Sequence, residues 1–137
     1  MAVKSFREME VWNLSMSLAQ DVYALVRLFP AEERYALGDQ LRRAVVSIPS
    51  NIAEGFGRGS TRDFLHYVAI AKGSLYEVDT QLDLASRLGY AAIPNMLKEK
   101  VARTGMMLNA LIASLKGRMN RTPEPRITNH EPRFSHD

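Results

Sequence analysis

The chain has 137 residues, a formal net charge of +3 and no cysteine. Disulfides, thiolate metal sites and cysteine nucleophiles are thereby excluded, and one domain with a continuous core is expected. Lys4, Arg7, Glu8 and Glu10 stand where a secretory signal needs its apolar stretch, and no later apolar run approaches the roughly 20 residues of a membrane span, so the expectation is a soluble, cytoplasmic protein without membrane contact.

Ser5 and Glu8 have capping-box spacing, which predicts a first helix from about Phe6 to Leu28. Trp12, Met16, Ala19, Tyr23 and Val26 form one apolar row on it, with Val11, Leu18, Val22, Leu25 and Phe29 beside them. So wide a stripe belongs in a bundle. Trp12 and Tyr23 could stack on bases, but at helical spacing they read first as core or subunit-contact residues. Phe29-Pro30 closes the helix, and Glu32 and Glu33 suit the start of the next, where the helix dipole favours negative charge.

The second helix is predicted to run to about Arg58, with Leu41, Val45, Ile48 and Ile52 on one face. Pro49 falls inside it. Lacking an N–H for the Val45 carbonyl, Pro49 should bend or open the helix at a cost of roughly 3 kcal/mol. Ser47, Ser50 and Asn51 flank the break and can bond freed backbone groups or a neighbouring helix. Ser47, Pro49, Ser50, Asn51 and Glu54, with Glu77 from the third helix, are therefore expected as a structural polar pin. Ile48 to Asn51 and Glu54 should be mostly buried, and Glu54 or Glu77 should pair with Arg42 or Arg43 or hydrogen-bond to the serines. Gly55, Gly57 and Gly59 follow a helix instead of opening one and lack the Lys-Ser/Thr of a phosphate loop, so they read as a helix end and turn.

Ser60 and Asp63 cap a third helix to about Leu88, whose Phe64, Val68, Ala71, Leu75, Val78, Leu82 and Ala85 form the clearest periodic seam in the chain. Ala69 and Gly73 on it predict a close helix contact. Gly89-Tyr90 ends this helix and Pro94 suits the first turn of a fourth. The fourth carries Leu97, Val101, Leu108, Leu111 and Leu115, interrupted by Thr104 and beside Gly105. From Asn120 onward Pro123, Pro125 and Pro132 lie among polar residues without apolar period, predicting a tail disordered in isolation. The expected architecture is all-α: an up-down antiparallel four-helix bundle over residues 1–119, with a proline-kinked second helix and a tail over 120–137.

Chemistry is sparse. His66, His130 and His136 are scattered, so no metal or cofactor site is expected, and no nucleophile, base and orienting group stand out. A non-catalytic protein is the reading. Beyond Met119 the charges balance, Arg121, Arg126 and Arg133 against Glu124, Glu131 and Asp137, so the positive excess belongs to the bundle. Arg42, Arg43, Arg58 and Arg62 bracket the second helix, and Lys98, Lys100 and Arg103 cluster on the fourth. A surface lined with these would bind RNA or DNA through its backbone; alternatively Arg42 or Arg43 pairs internally and the others are merely solvated.

The run QLRRAVVSIPSNIAEG from Gln40 to Gly55, with Val11-Trp12, Gly57-Arg58, Asp63-Phe64, Gly73-Ser74-Leu75 and Leu88-Gly89-Tyr90, closely resembles the 23S rRNA intervening-sequence proteins. That family is taken to include the accessory variability determinant of diversity-generating retroelements. The likeness spans Phe6 to about Leu115, with Met9, Asn13 and Ala36 as departures from its usual residues. It implies a bundle assembled as a ring-shaped homopentamer, a basic surface for RNA or DNA, and, in retroelement relatives, a reverse transcriptase partner. A protein-protein interaction scaffold without nucleic-acid binding is the alternative.

Overall fold

A computed structural model describes residues 3–121. After a 3-10 turn at Phe6–Glu8 come α1 (Glu10–Val26), a single turn α2 (Ala31–Arg34), α3 (Leu37–Gly57), α4 (Thr61–Arg87) and α5 (Asn95–Arg121). The four long helices form a bundle in which α3 and α5 each pack on both α1 and α4. No strand occurs among the described residues, and none of their helices is long and apolar enough to cross a membrane.

The expected first helix is divided. The Ser5 hydroxyl accepts the Arg7 N–H at 3.1 Å, and the Glu8 carboxylate accepts the Lys4 N–H at 3.3 Å. The capping pair thus serves the short turn, and Met9 is extended before α1 begins. Asn13 ties the two together, its amide donating to the carbonyls of Arg7 (2.9 Å) and Met9 (3.0 Å).

The expected second helix is also divided, by Tyr35 and Ala36 between α2 and α3. Gly38 accounts for the tightness of this corner. A Cβ there would lie 2.7 Å from Val26 Cγ1 and 3.2 Å from the Glu33 carbonyl oxygen, so only glycine lets α3 start against the end of α1. From Leu37, α3 remains helical through the buried Pro49.

Leu41, Val45, Ile48 and Ile52 are completely buried, as their spacing predicts. They share one core with Leu18 and Val22 of α1, Val68 and Leu75 of α4, and Leu108 and Leu115 of α5. Each such side chain contributes about 1.5–3 kcal/mol by leaving water, which fixes the rotation of α3. The polar pin is smaller than expected in consequence. Ser47 and Asn51 are half-buried, whereas Ser50, Glu54 and Glu77 are exposed, because Ser50 and Glu54 lie one turn apart on the face opposite the apolar row. Ser47 shares a 2.7 Å hydrogen bond with Ser74, and the Asn51 amide donates to the Ser47 carbonyl (2.8 Å) and hydroxyl (2.9 Å). Those three residues make a polar link between α3 and α4 at mid-helix.

The capping of α4 is as the sequence predicts: the Ser60 hydroxyl accepts the Asp63 N–H at 3.0 Å, and Gly59 and Gly89 take positive φ in the turns at either end. Thr104 is fully buried, its hydroxyl donating to the Lys100 carbonyl at 2.7 Å. Phe29, 99 % hidden at the end of α1, meets the Tyr90 ring at 5.8 Å. Partial burial, and then the Glu33 carboxylate, hold the Tyr90 phenol above its ordinary pKa. The helix α5 continues to Arg121, past the expected boundary at Met119, and the expected disordered tail otherwise lies outside the described residues.

The glycines redistribute the close contacts. Gly73 is exposed, and a Cβ there would meet nothing within 4 Å, so the approach expected at Ala69 and Gly73 is not made within the chain. It occurs at Gly55, where a Cβ would lie 2.6 Å from Tyr67 Cβ and 3.1 Å from the Phe64 ring. Gly105 makes a looser one, 3.3 Å from Leu75 Cδ2. Gly55→Ala should therefore lower stability by about 1–3 kcal/mol through overpacking, whereas Gly73→Ala should raise it by about 0.5–1 kcal/mol through helix propensity. Urea denaturation of the two variants checks this, and equal effects would remove the distinction.

Candidate nucleic-acid interface

The seven basic residues singled out in the sequence do not converge on one face. Arg42 is largely spent inside the chain. Its Nη2 donates to the Arg34 carbonyl at 2.8 Å and to Asp39 Oδ1, and its guanidinium lies 5.9 Å from the Tyr23 ring and 6.0 Å from that of Tyr35. The expected pair of Arg42 or Arg43 with Glu54 or Glu77 is absent, since Asp39 stands one turn before Arg42 while Glu54 is three turns away. Glu54 pairs instead with Arg58 at 3.0 Å. Arg58 also donates to the Tyr67 hydroxyl at 2.7 Å, and Glu54, then Tyr67, hold its guanidinium above the usual arginine range. Arg62, exposed in the first turn of α4, is likewise engaged.

On α5, Lys100 donates to Asp21 (2.6 Å) and Ser17 (2.8 Å) of α1, and Arg103 pairs with Glu10 at 2.9 Å. These links hold α5 against α1 more than they offer charge to a ligand. Lys98 makes no such pair but lines a groove of about 480 Å³ between α4 and α5 together with Asp79 and Asp83, a poor surface for phosphate. Of the seven, Arg43 is exposed, has neither ion pair nor hydrogen bond, and stands clear of carboxylates other than Asp39, which Arg42 already engages.

A second feature lies beside Arg43. The first apolar row of α1 is core only at its end, Val26: Met16 is 41 % and Tyr23 43 % exposed, and Trp12 and Ala19 are half-buried against the core. Trp12, Met16, Ala19 and Tyr23 form one wall of a groove of about 750 Å³, and Val46, Pro49 and Ala53 of α3 form the other. Arg7 and Arg27 stand on its rim, and no carboxylate lines it. The Arg7 guanidinium lies 4.9 Å from the Phe6 ring and 5.8 Å from the Trp12 ring. Tyr23 and Val46 are shared with an adjoining recess of about 470 Å³ that contains Arg42 and Arg43. The sequence signal for this groove was the doubled apolar row of α1, which a single core-facing stripe does not need. Arg7 and Arg27 carried no signal of their own.

Among the described residues no group of three or more His, Asp or Glu is placed to hold a metal ion. The family model for 23S rRNA-intervening sequence proteins matches residues 7–110. The chain belongs to that family. Comparison with curated proteins returns no match. Within this member of the family, Arg42 and Arg43 differ in kind although adjacent. Arg42→Ala should cost about 1–3 kcal/mol of stability by breaking a part-buried hydrogen-bonded pair, and Arg43→Ala should stay within about 0.5 kcal/mol. Thermal and urea unfolding of both variants test the division, and comparable losses would contradict it.

Proposed function

We propose that the chain is a non-catalytic, oligomeric helical module that binds the backbone of RNA or DNA through the basic rim of the α1–α3 groove. The observation that carries this reading is Arg43, an unpaired guanidinium in a recess whose one carboxylate, Asp39, is engaged by Arg42, and which adjoins the carboxylate-free groove of Arg27 and Arg7. A guanidinium with no internal acceptor keeps its planar donor fork for phosphate. The family's name supports an association with an rRNA insertion, whereas an accessory role beside a reverse transcriptase rests on the sequence resemblance alone. The absence of catalysis is supported by Glu54 and Glu77: both are exposed, Glu54 is ion-paired, and neither lines the groove. A bend of α3 at Pro49 would set the angle between its Arg43 half and its Arg58 half.

Binding should weaken steeply with salt. Arg43→Glu should reduce affinity for RNA and DNA at least tenfold, and Arg43→Ala should lower the slope of log K against log salt by about 1 for each protomer engaged. Lys98→Glu should leave both nearly unchanged. Fluorescence anisotropy across a salt series decides this, and an affinity indifferent to salt or to Arg43 would remove the proposal.

The oligomeric part has a separate observation in its favour. Ala69, Ile70, Gly73, Tyr76 and Leu84 follow one another along the outside of α4, all exposed, with open space over Gly73. A largely apolar strip with a glycine at its centre, interrupted by the exposed Glu77 and with Lys72 beside Tyr76, suits the close approach of a helix from another copy, in a homopentamer or another ring. The same strip favours the second reading, a scaffold that binds only proteins. Gly73→Arg should keep the helical circular dichroism signal and convert the assembly to monomer in sedimentation velocity. An unchanged sedimentation coefficient would place the contact elsewhere.

A further inference from the structure

We infer that the α1–α3 groove is a stacking platform for unpaired bases, so that the ligand is a single-stranded nucleic acid segment. The inference deepens the proposed nucleic-acid reading and rests on it. Tyr35 is 74 % exposed, Tyr23 is 43 % exposed, and Trp12 is half-buried, so each can offer ring surface to a flat partner. The exposure of Tyr23 is not a failure of packing, because Leu18, Val22 and Leu25 on the same helix fill the core without it. Arg42, held by Asp39 and the Arg34 carbonyl, lies within 6.0 Å of both tyrosine rings. It stands beside both rings; Tyr23 shares the recess with Arg43, and Tyr35 lies outside the groove, open to solvent.

Charge selects among occupants. Arg7 and Arg27 stand on a groove lined by no carboxylate, and in the adjoining recess with Arg43 the one carboxylate, Asp39, is engaged by Arg42, an arrangement that complements a polyanion. A second copy of the chain would bring its own cations, and the largely apolar strip on α4, whose one carboxylate is Glu77, suits it better. Between nucleic acids, geometry selects again. In a duplex the base faces are stacked on one another and the edges alone are open, whereas aromatic side chains capture splayed bases of a single strand. Trp12 and Tyr23 are separated by about 16 Å along α1 at the helical rise, so they would meet different nucleotides, with the rim arginines on the phosphates between.

Trp12 is the single tryptophan of the chain, so its emission reports on the groove directly. A uridine oligomer of about 12 nucleotides, within the range of single-strand sites, should quench Trp12 saturably, with the affinity seen by anisotropy. A duplex of equal length should bind at least about tenfold more weakly. Tyr23→Ala and Tyr35→Ala should each weaken the single strand about tenfold or more, with phenylalanine at either position restoring it. Tyr35 is exposed enough to keep the test valid if Tyr23→Ala unfolds. Duplex binding as tight as single-strand binding, with Trp12 emission unmoved, would overturn the stacking platform and leave backbone binding standing. Failure of both ligands to bind would overturn both. A shift in Trp12 emission that follows protein concentration and not oligonucleotide would mean that a second copy fills the groove, and would overturn the platform.

Discussion

The structure depends on the rotation of α3 about its own axis. Burial of Leu41, Val45, Ile48 and Ile52 sets that rotation, and the backbone approach at Gly55, where Tyr67 Cβ fills the place of a side chain, fixes the depth of α3 against α4. Everything else on the helix follows from that angle. Val46, Pro49, Ser50 and Ala53 line one side of the groove, Ser47 and Asn51 turn toward Ser74, and Arg43 and Glu54 are exposed. Rotating α3 by one residue, about 100°, would place Arg42 where the core now lies. The apolar energy at stake, several side chains at about 1.5–3 kcal/mol each, outweighs any one of the polar contacts at about 0.5–1.5 kcal/mol.

Helices were legible in the sequence because a single period of 3.6 serves each of them from end to end. The seam of α4 and the row of α3 are buried as their spacing requires. Boundaries were less so, for local reasons: Ser5 caps a turn that Met9 interrupts, and Gly38 forces a corner that acidic residues at a helix start do not announce. The glycines show the limit most plainly. Gly73 and Gly55 are the same residue in the same kind of helix, yet one faces open space and the other the Cβ of Tyr67. What a missing side chain makes room for is a property of the neighbouring helix, which a local pattern does not contain.

The candidate site was harder to read for a related reason. Arginine and lysine that cluster along a sequence acquire partners across the bundle. Lys100 meets Asp21 and Arg103 meets Glu10, 79 and 93 residues away in the chain, so the basic cluster of α5 is neutral where it packs. Conversely, Arg7 and Arg27 lie outside every basic run and share one groove because they flank α1. Net charge stated the sign of the surface and not its location. Exposure without an acceptor is the property that distinguishes Arg43 from Arg42, and it exists only once α2 has brought the Arg34 carbonyl to its neighbour.

The bundle thereby separates two kinds of unsatisfied surface. The outer strip of α4 is largely apolar and exposed, with one carboxylate, Glu77, on it. The α1–α3 groove is apolar with cations on its rim, and it lacks both an apolar surface and an anion. A single partner chemistry does not satisfy both. A protein helix that covers the α4 strip needs little charge, whereas an occupant of the groove that leaves Arg7, Arg27 and Arg43 unpaired would desolvate guanidinium groups without return, a cost that grows as water is excluded. Under the proposed reading, assembly through the α4 strip and ligand binding in the α1–α3 groove would use different faces of one protomer, the arrangement an oligomeric module needs if every copy is to keep its groove open.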